Sequence, residues 1–516
     1  MKRVWRVLFS HTFLFIVLAL VQIAVSLLLT EYLSKYTKFG PYLYVILTIL
    51  AALIVVVVLG KDDLNPAYKI MWLLIVVAMP VSGTVFYLMM GSRVTPKKAR
   101  ILSAIEQRAA ASMAPDPAVA QRLEAAEPTL RRSVDYLASW AAAPVYDATE
   151  TEYYPLGEDF FPRFLEEIGK AEKYIFLEYF IIDDESEMWR RTLEILEAKA
   201  AAGVDVRVLY DGFGCIATLP PGYDGFLRGK GIRCTVFNSG HLSAHISDYK
   251  ILNHRDHRKI TVVDGEVGFN GGLNFADEYI NVKHRFGVWK DTGFLLRGPA
   301  VYSLTVMFLK MWDFANATET DFTSYRPGTP RPAAQGYVQP YSDSPLDEEN
   351  VAENAYFNVL QRAEHYVYIV TPYLIIDHEM LSALCLTAKS GVDVRILVPG
   401  IPDKWYAYAV TRSYYAVLLR AGVRIYEFTP GFIHAKMYAS DDKVAIVGSA
   451  NMDYRSLYLH FENCCSFYGG PLVADVKRDI DETLGESREI LLADVEKTAL
   501  WRRLLRVFFR FFAPMM

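Results

Sequence analysis

The chain contains an internal duplication, and this constrains its fold because both copies must adopt the same local structure. Residues 171–183 (AEKYIFLEYFIID) resemble 363–377 (AEHYVYIVTPYLIID), and 203–209 (GVDVRVL) match 391–397 (GVDVRIL). Each copy predicts strand, helix, strand, helix and strand, with glycines at 203 and 391 ending the first helices. The sequence therefore predicts an α/β fold with two duplicated domains, each a largely parallel or mixed sheet flanked by helices.

Each copy also carries the spacing His-x-Lys-x-x-x-x-Asp. The polar residues in the two copies are His257, Lys259, Asp264, His434, Lys436 and Asp441. Ten residues after each aspartate stands an asparagine, and the residues expected to bind substrate are Asn274, Ser449 and Asn451. A single match of this kind arises by chance, whereas a paired match inside a duplication is specific. In an extended strand, His and Lys two positions apart share one face, so both copies are expected to line one pocket.

Two imidazoles and two ammonium groups around one pocket suit a phosphate. A neutral imidazole can attack phosphorus to form a phosphohistidine, while the second histidine protonates the leaving oxygen. Lysine and asparagine donors would stabilise the non-bridging oxygens. Asp264 and Asp441 are expected to fix the imidazole tautomers or to support the residues around the site, and the sequence does not indicate which group each one touches. The scheme needs neither a metal nor another cofactor.

These motifs resemble the phospholipase D superfamily, and the arrangement of nearly the whole chain is similar to that of bacterial cardiolipin synthases. The resemblance implies a phosphatidyltransferase that condenses two phosphatidylglycerol molecules into cardiolipin and glycerol. It also implies that His257 is the nucleophile and His434 the acid, although the near-symmetry of the copies leaves this choice open. One departure is Gly272, which stands where a serine is common in the superfamily, so a serine role is carried over to Ser449 alone.

The N-terminal 93 residues are predicted to form a transmembrane helical region. Apolar residues make up 52% of the chain, mean hydropathy is +0.15, and apolar stretches occupy 13–29, 42–59 and 70–90. Each stretch is near the length needed to cross a bilayer. The first stretch could also be a signal peptide, but no small-residue cleavage site follows it. The densest basic cluster follows the third stretch, which favours a multi-pass protein of the bacterial cell membrane with a cytoplasmic catalytic region.

The remaining boundaries follow from composition. We expect a helical connector at 94–145, the first phospholipase-D-like domain at 146–325, a proline-rich linker at 326–345, the second domain at 346–500 and an amphipathic tail at 501–516. Arginines at helical spacing in the tail fit either a helix lying on anionic lipid or a helix docked on the protein's own core.

Several alternative functions share the same motifs. A hydrolase, or a transferase with a different lipid donor or acceptor, could use the same site. A nuclease is disfavoured because the net charge is −5 and the pI is about 6.1, so nucleic acid is not an expected partner. A catalytically dead scaffold is disfavoured because both motifs are intact. Glu178 and Glu462 are candidate pocket carboxylates, although a buried salt bridge is an equal interpretation of each, and the sequence does not indicate an oligomeric state.

Overall fold

A computed structural model describes residues 32, 35, 40–61, 65–79, 83–84, 86–88, 91, 96–238, 253–328 and 333–516. The chain divides into two compact units, the first within 1–95 and 243–253, the second within 96–242 and 254–516.

The described part of the first unit includes the helices α1 (Gly40–Leu59) and α2 (Pro66–Ala78). Asn65 begins α2 by accepting a hydrogen bond from the Ala67 N–H, and proline occupies the first turn, where its missing N–H has no cost. Among the residues that the structure describes, no helix combines the length and apolarity of a bilayer span. The predicted spans near 42–59 and 70–90 are therefore not confirmed, and the stretch at 13–29 lies outside the described residues.

The second unit contains two sheets that repeat the same topology. The strands of the first sheet are β1 (Glu150–Tyr154), β2 (Tyr174–Tyr179), β3 (Asp205–Asp211), β4 (Arg233–Phe237), β6 (Lys259–Val263), β7 (Val267–Gly271) and β9 (Gly293–Arg297). Their order is β1-β9-β7-β6-β2-β3-β4, in which β2, β3 and β4 run parallel and the other neighbours are antiparallel. The α/β prediction is confirmed, but only three adjacent strands are parallel, so the sheet is mixed.

The second sheet has the order β10-β19-β17-β16-β11-β13-β14-β20. Its strands are β10 (Tyr337–Asp343), β11 (Tyr366–Val370), β13 (Asp393–Pro399), β14 (Arg424–Phe428), β16 (Met437–Ser440), β17 (Val444–Gly448), β19 (His460–Tyr468) and β20 (Ser487–Ile490). Again the three strands β11, β13 and β14 are parallel, because helices return the chain between them.

Helices flank both sheets. They are α3 (Pro96–Ser112), α4 (Pro117–Ala126), α5 (Arg131–Trp140), α6 (Gly157–Gly169), α7 (Glu187–Ala201), α8 (Tyr223–Gly229), α9 (Val301–Asn316), α10 (Val351–Arg362), α11 (His378–Lys389), α12 (Trp405–Arg420), α13 (Tyr454–Tyr458), α14 (Pro471–Gly485), α15 (Leu492–Glu496) and α16 (Leu500–Phe511). The predicted ends of α7 and α11 are confirmed: Gly203 and Gly391 follow them with φ of +92° and +99°.

The two halves share one hydrophobic core. Helix α9 is almost entirely buried, and Phe294 of the first sheet meets Phe467 of the second edge-on, with ring centroids 5.1 Å apart. The predicted connector is helical, but it is not a free tether, because Leu102 and Ile105 of α3 lie in this same core. The predicted linker is also partly wrong, since β10 lies within it. Pro340 fits there because β10 is an edge strand, where a missing N–H is tolerated.

Short strands join one half to the other. Strand β5 (Arg255–Asp256) pairs with the start of β19, while β8 (Val288–Lys290) pairs with β15 (Gly431–Ile433). A further short pair, β12 (Leu374–Ile375) with β18 (Met452–Asp453), lies inside the second half. The two cross-half pairs bring residues far apart in sequence to the same place.

Candidate active site

His257 lies in the link between β5 and β6, next to the second half. Its backbone N–H donates to the Phe461 carbonyl at 2.9 Å. Its Nδ1 lies 2.9 Å from Oε1 of Glu462, which is completely buried. The first-half histidine is thus oriented by a carboxylate from the second half.

His434 has the reciprocal arrangement. It follows β15, and its backbone N–H donates to the Lys290 carbonyl at 2.7 Å. Its Nδ1 lies 2.6 Å from Oδ2 of the buried Asp291, a first-half residue. Both motif histidines precede their strands and do not lie within them. Each also has Nδ1 bound to the opposite half, so Nε2 is the ring atom left for a reacting group, although that of His434 lies 3.2 Å from Lys436 Nζ.

The motif lysines stand beside the histidines. Lys259 donates from Nζ to the His257 carbonyl, and Lys436 Nζ lies 2.8 Å from His434 Nδ1. Burial lowers the pKa of Lys259 to about 7 and that of Lys436 to about 8, although nearby carboxylates oppose the shift. These ammonium groups therefore lack full solvation and are suited to bind an anion that enters the site.

Both imidazoles are neutral near pH 7. Burial, followed by the charges of Lys259 and Lys436, lowers the pKa of His257 well below its ordinary value. Burial and Lys436 lower the pKa of His434 to about 4, against the raising effect of Asp291. Although burial alone raises the pKa of Asp291, Lys436 and His434 hold that pKa below its ordinary value. A neutral imidazole with an anchored Nδ1–H is the form that can act as a nucleophile.

Aromatic rings surround the two imidazoles. Phe180 lies edge-on to His257 with ring centroids 4.9 Å apart. Tyr279 and Trp289 lie 5.5 and 5.3 Å from the His434 ring. Their low polarity accounts for the strong desolvation of the site.

Asp264 and Asp441 bind backbone groups at the starts of two strands. The Asp264 carboxylate accepts hydrogen bonds from the backbone N–H groups of residues 172–174, just before and at the start of β2. Asp441 accepts from residues 364–366 at the start of β11 in the same way. Both also adopt left-handed backbone conformations, with φ of 54° and 55°. They therefore do not fix the imidazole tautomers, because Glu462 and Asp291 contact the two Nδ1 atoms.

The residues expected to bind phosphate are engaged with the protein. Asn274 accepts from the Ile181 N–H and donates to the Tyr279 hydroxyl at 2.7 Å. Asn451 donates to Asp453 at 3.0 Å. Ser449 donates to Glu462 Oε2 at 2.5 Å. In this structure these side chains support the walls of the site, and the lysines are the cations closest to the histidines.

Sequence reasoning missed Asp291 altogether and left Glu462 undecided. No motif spacing marks either residue, because each reaches its histidine through a strand pair between the halves. Asp291 directly follows β8 and Glu462 is the third residue of β19, and neither position differs in sequence from an ordinary strand end. Glu178, the other candidate, pairs with Arg258 at 2.6 Å, so the salt-bridge interpretation holds for it.

Each motif histidine, together with its lysine and the carboxylate that contacts its Nδ1, is called a half-site. The duplicated fold and these two reciprocal half-sites define an enzyme of the phospholipase D type. Residues 356–484 match the family described as "Cardiolipin synthase, PLD-like domain", and residues 46–91 match "Phospholipase_D-nuclease N-terminal". The chain is 33% identical to cardiolipin synthase 1 of Bacillus anthracis over 98% of this chain and 99% of that protein. It is 33% identical to a cardiolipin synthase of Halalkalibacterium halodurans over 89% and 91% of the two chains.

The chain belongs to the bacterial cardiolipin synthase family of the phospholipase D superfamily. An uncharacterized protein of Streptococcus mutans is 42% identical over 89% of this chain and 99% of its own. Among solved structures, phosphatidylserine synthase of Haemophilus influenzae covers 75% of this chain and all of its own, with a TM-score of 0.57 and 14% identity. That last likeness concerns the fold alone.

Proposed function

We propose that the protein transfers a phosphatidyl group from one phosphatidylglycerol to a second, forming cardiolipin and releasing glycerol. The observation that carries the proposal is the reciprocal pairing of His257 with Glu462 and of His434 with Asp291 in one unit. This geometry favours two imidazoles acting on a single phosphorus. Relatives named cardiolipin synthase, matched over most of the chain, support lipid as both donor and acceptor.

In the first step His257 Nε2 attacks the phosphorus of phosphatidylglycerol. A P–N bond forms, and the bond from phosphorus to the glycerol headgroup oxygen breaks. His434 gives its proton to that oxygen, so glycerol leaves uncharged. The assignment of nucleophile and acid follows the family resemblance, and Lys259 and Lys436 are assigned to the non-bridging oxygens.

His434 must be protonated to act as an acid, although its pKa is about 4 in the empty site. A bound phosphodiester brings a negative charge close to the imidazole. At about 4 Å and an effective dielectric constant of about 20, one charge stabilises the imidazolium by roughly 4 kcal/mol. That interaction raises the pKa by about three, to near neutrality. Substrate binding therefore prepares the acid.

In the second step His434 accepts a proton from the headgroup hydroxyl of a second phosphatidylglycerol. The hydroxyl oxygen attacks phosphorus, the P–N bond to His257 breaks, and cardiolipin forms. Water in place of the lipid hydroxyl would give phosphatidic acid. The aromatic rings around the histidines limit water in the site and favour transfer.

We also assign the protein to the bacterial cell membrane, with its catalytic unit on the cytoplasmic side. The apolar N-terminal stretches and the basic cluster that follows them support this. In intact protoplasts, an external protease should leave the catalytic unit uncut until the cells are lysed. Cleavage before lysis would contradict the orientation.

We also propose that the C-terminal helix α16 contacts lipid, in addition to the N-terminal apolar stretches. Its Phe509 packs on Trp405 of α12 with ring centroids 5.1 Å apart, so one face is docked on the protein. The other face leaves five apolar side chains more than half exposed: Leu500, Trp501, Leu504, Val507 and Phe508. The helix carries four arginines and no acidic residue, which suits an anionic lipid surface.

Product analysis tests the proposed reaction. Purified full-length protein in detergent is given phosphatidylglycerol alone, and lipids and glycerol are measured by mass spectrometry. Cardiolipin with equimolar glycerol is the expected result, whereas phosphatidic acid as the sole product would show a hydrolase. Adding phosphatidylethanolamine tests a different partner lipid. The exposed His378→Ala variant is a matched control for His257→Ala and His434→Ala, and it should keep wild-type rates.

A further inference from the structure

A third histidine lies beside the first half-site and has no counterpart in the motifs. His460 begins β19 with only 8% of its surface exposed. Its ring centroid is 5.4 Å from that of His257. Its Nδ1 lies 3.5 Å from Oε1 of Glu462, the same oxygen that lies 2.9 Å from His257 Nδ1.

The neighbour on the other side of the ring determines where the His460 proton sits. Arg455 Nε donates to His460 Nε2 at 3.3 Å. Arginine has no lone pair to offer and stays protonated, so Nε2 must carry the lone pair. Burial lowers the pKa of His460 to about 3, which keeps the ring neutral. The single ring proton is therefore on Nδ1, the atom next to Glu462.

The Nδ1 atom is buried and has no hydrogen-bond partner among the residues the structure describes. A small rotation that closes the 3.5 Å gap would give Glu462 a third donor, after His257 and Ser449. The ligand atoms of His257, His460 and Glu462 also lie within 4.8 Å of one another, as in a metal site. A metal on Nδ1 would need a lone pair there, and the contact from Arg455 opposes that.

The second half-site is built differently. Two residues before Asp291 stands Trp289, at the place that His460 occupies before Glu462. Its ring packs on His434, with centroids 5.3 Å apart. Among the described residues, only the His257 half-site therefore has a further histidine beside its carboxylate, whereas Asp291 accepts from the Thr292 backbone N–H at 2.8 Å.

We propose that His460 is a positioning residue: its Nδ1–H holds the Glu462 carboxylate in the orientation that anchors His257. The proposal rests on the proposed function, because it assigns His460 to the half-site whose histidine attacks phosphorus. By sharing the carboxylate charge, His460 also limits how strongly Glu462 favours protonation of His257. Loss of the donor should therefore make His257 easier to protonate.

Two substitutions separate hydrogen bonding from packing. His460→Asn keeps an N–H at the place of Nδ1 to face Glu462, whereas His460→Leu removes it, and both variants lose the Nε2 acceptor that faces Arg455. We expect His460→Leu to lower kcat about tenfold with KM changed less than twofold. The acid limb of its kcat/KM profile should move to higher pH. His460→Asn should stay within about threefold of wild type, with an acid limb close to the wild-type one.

Rates are measured as phosphatidylglycerol consumed, whichever product forms. A wild-type enzyme that makes phosphatidic acid would then contradict the proposed transfer and leave this comparison intact. The exposed His378→Leu variant is the matched control, and near-ultraviolet circular dichroism checks folding. The proposal is overturned if His460→Leu keeps the wild-type rate and pH profile, or if His460→Asn is as impaired as His460→Leu. Inhibition by added Zn²⁺ that requires His460 would also overturn it, in favour of a metal site.

Discussion

Gly272 offers a sharp test of the reciprocal half-sites, because it lies against the carboxylate that holds His434. A Cβ at position 272 would lie 2.1 Å from Asp291 Oδ1, whereas ordinary contacts begin at 3.4 Å. Gly272→Ala must therefore displace the carboxylate by about 1.3 Å. That displacement breaks the 2.6 Å contact between Asp291 and His434 Nδ1. A misplacement of about 1 Å at a catalytic group costs roughly a hundredfold in rate, so kcat should fall by about that factor.

The matched variant is Ser449→Ala at the equivalent position of the second half. It removes the hydroxyl that donates to Glu462 and adds no volume, so we expect a loss of about tenfold or less. Both variants are assayed for glycerol release from phosphatidylglycerol, with thermal melting as the check on folding. A folded Gly272→Ala enzyme within threefold of wild type would refute the role given to Asp291.

Three other predictions concern charge, stability and lipid contact. Glu462→Gln should lower kcat by about a hundredfold or more. It should also move the acid limb of kcat/KM to lower pH, because His257 loses the charge that stabilises its imidazolium. An unchanged pH–rate profile would contradict this. Asp264→Asn should lower the free energy of unfolding by about 1–2 kcal/mol in denaturant melts, while kcat of the folded enzyme stays within threefold of wild type. A large loss of kcat without destabilisation would indicate that Asp264 has a catalytic role. Phe508→Ser should reduce turnover on phosphatidylglycerol vesicles several-fold and leave turnover in detergent micelles unchanged. The control is Trp140→Ser at another exposed aromatic residue. Equal effects in both assays would argue against a lipid-facing helix.

The duplicated α/β fold was predictable because its signals are local. Alternating strands and helices, and glycines placed at helix ends, recur in both copies and need no long-range information. The identity of the histidines and lysines was equally accessible, since their motif spacing repeats. The strand pairs between the halves bring the two motifs toward each other, and the catalytic roles of these four side chains stay predictions.

The partners of the histidines could not be predicted in the same way. Asp291 and Glu462 reach the site through the pairs β8–β15 and β5–β19, which join segments well over 100 residues apart. The repeated motif spacing marks Asp264 and Asp441, but these carboxylates bind backbone N–H groups at a strand start and not the histidines. The linker prediction was partly wrong because it depended on prolines. A proline interrupts a central strand but is tolerated in an edge strand such as β10, which contains Pro340.

The asymmetry between the half-sites also depends on tertiary contacts. Gly272 is an unexplained departure in sequence, yet in the structure Asp291 fills the space that a serine would need. In the sequence, His460 is one of several histidines at strand ends. The structure shows that Arg455 and Glu462 lie on either side of its ring.

Both halves of the chain are expected to build one shared site, and the rates of two single variants test this most directly. Glycerol release from phosphatidylglycerol is measured for His257→Ala, for His434→Ala and for an equimolar mixture of the two proteins. One shared site per chain predicts a loss of at least about a thousandfold in each variant and no recovery in the mixture. If either variant keeps about half of the wild-type rate, the halves are independent sites and the account is wrong.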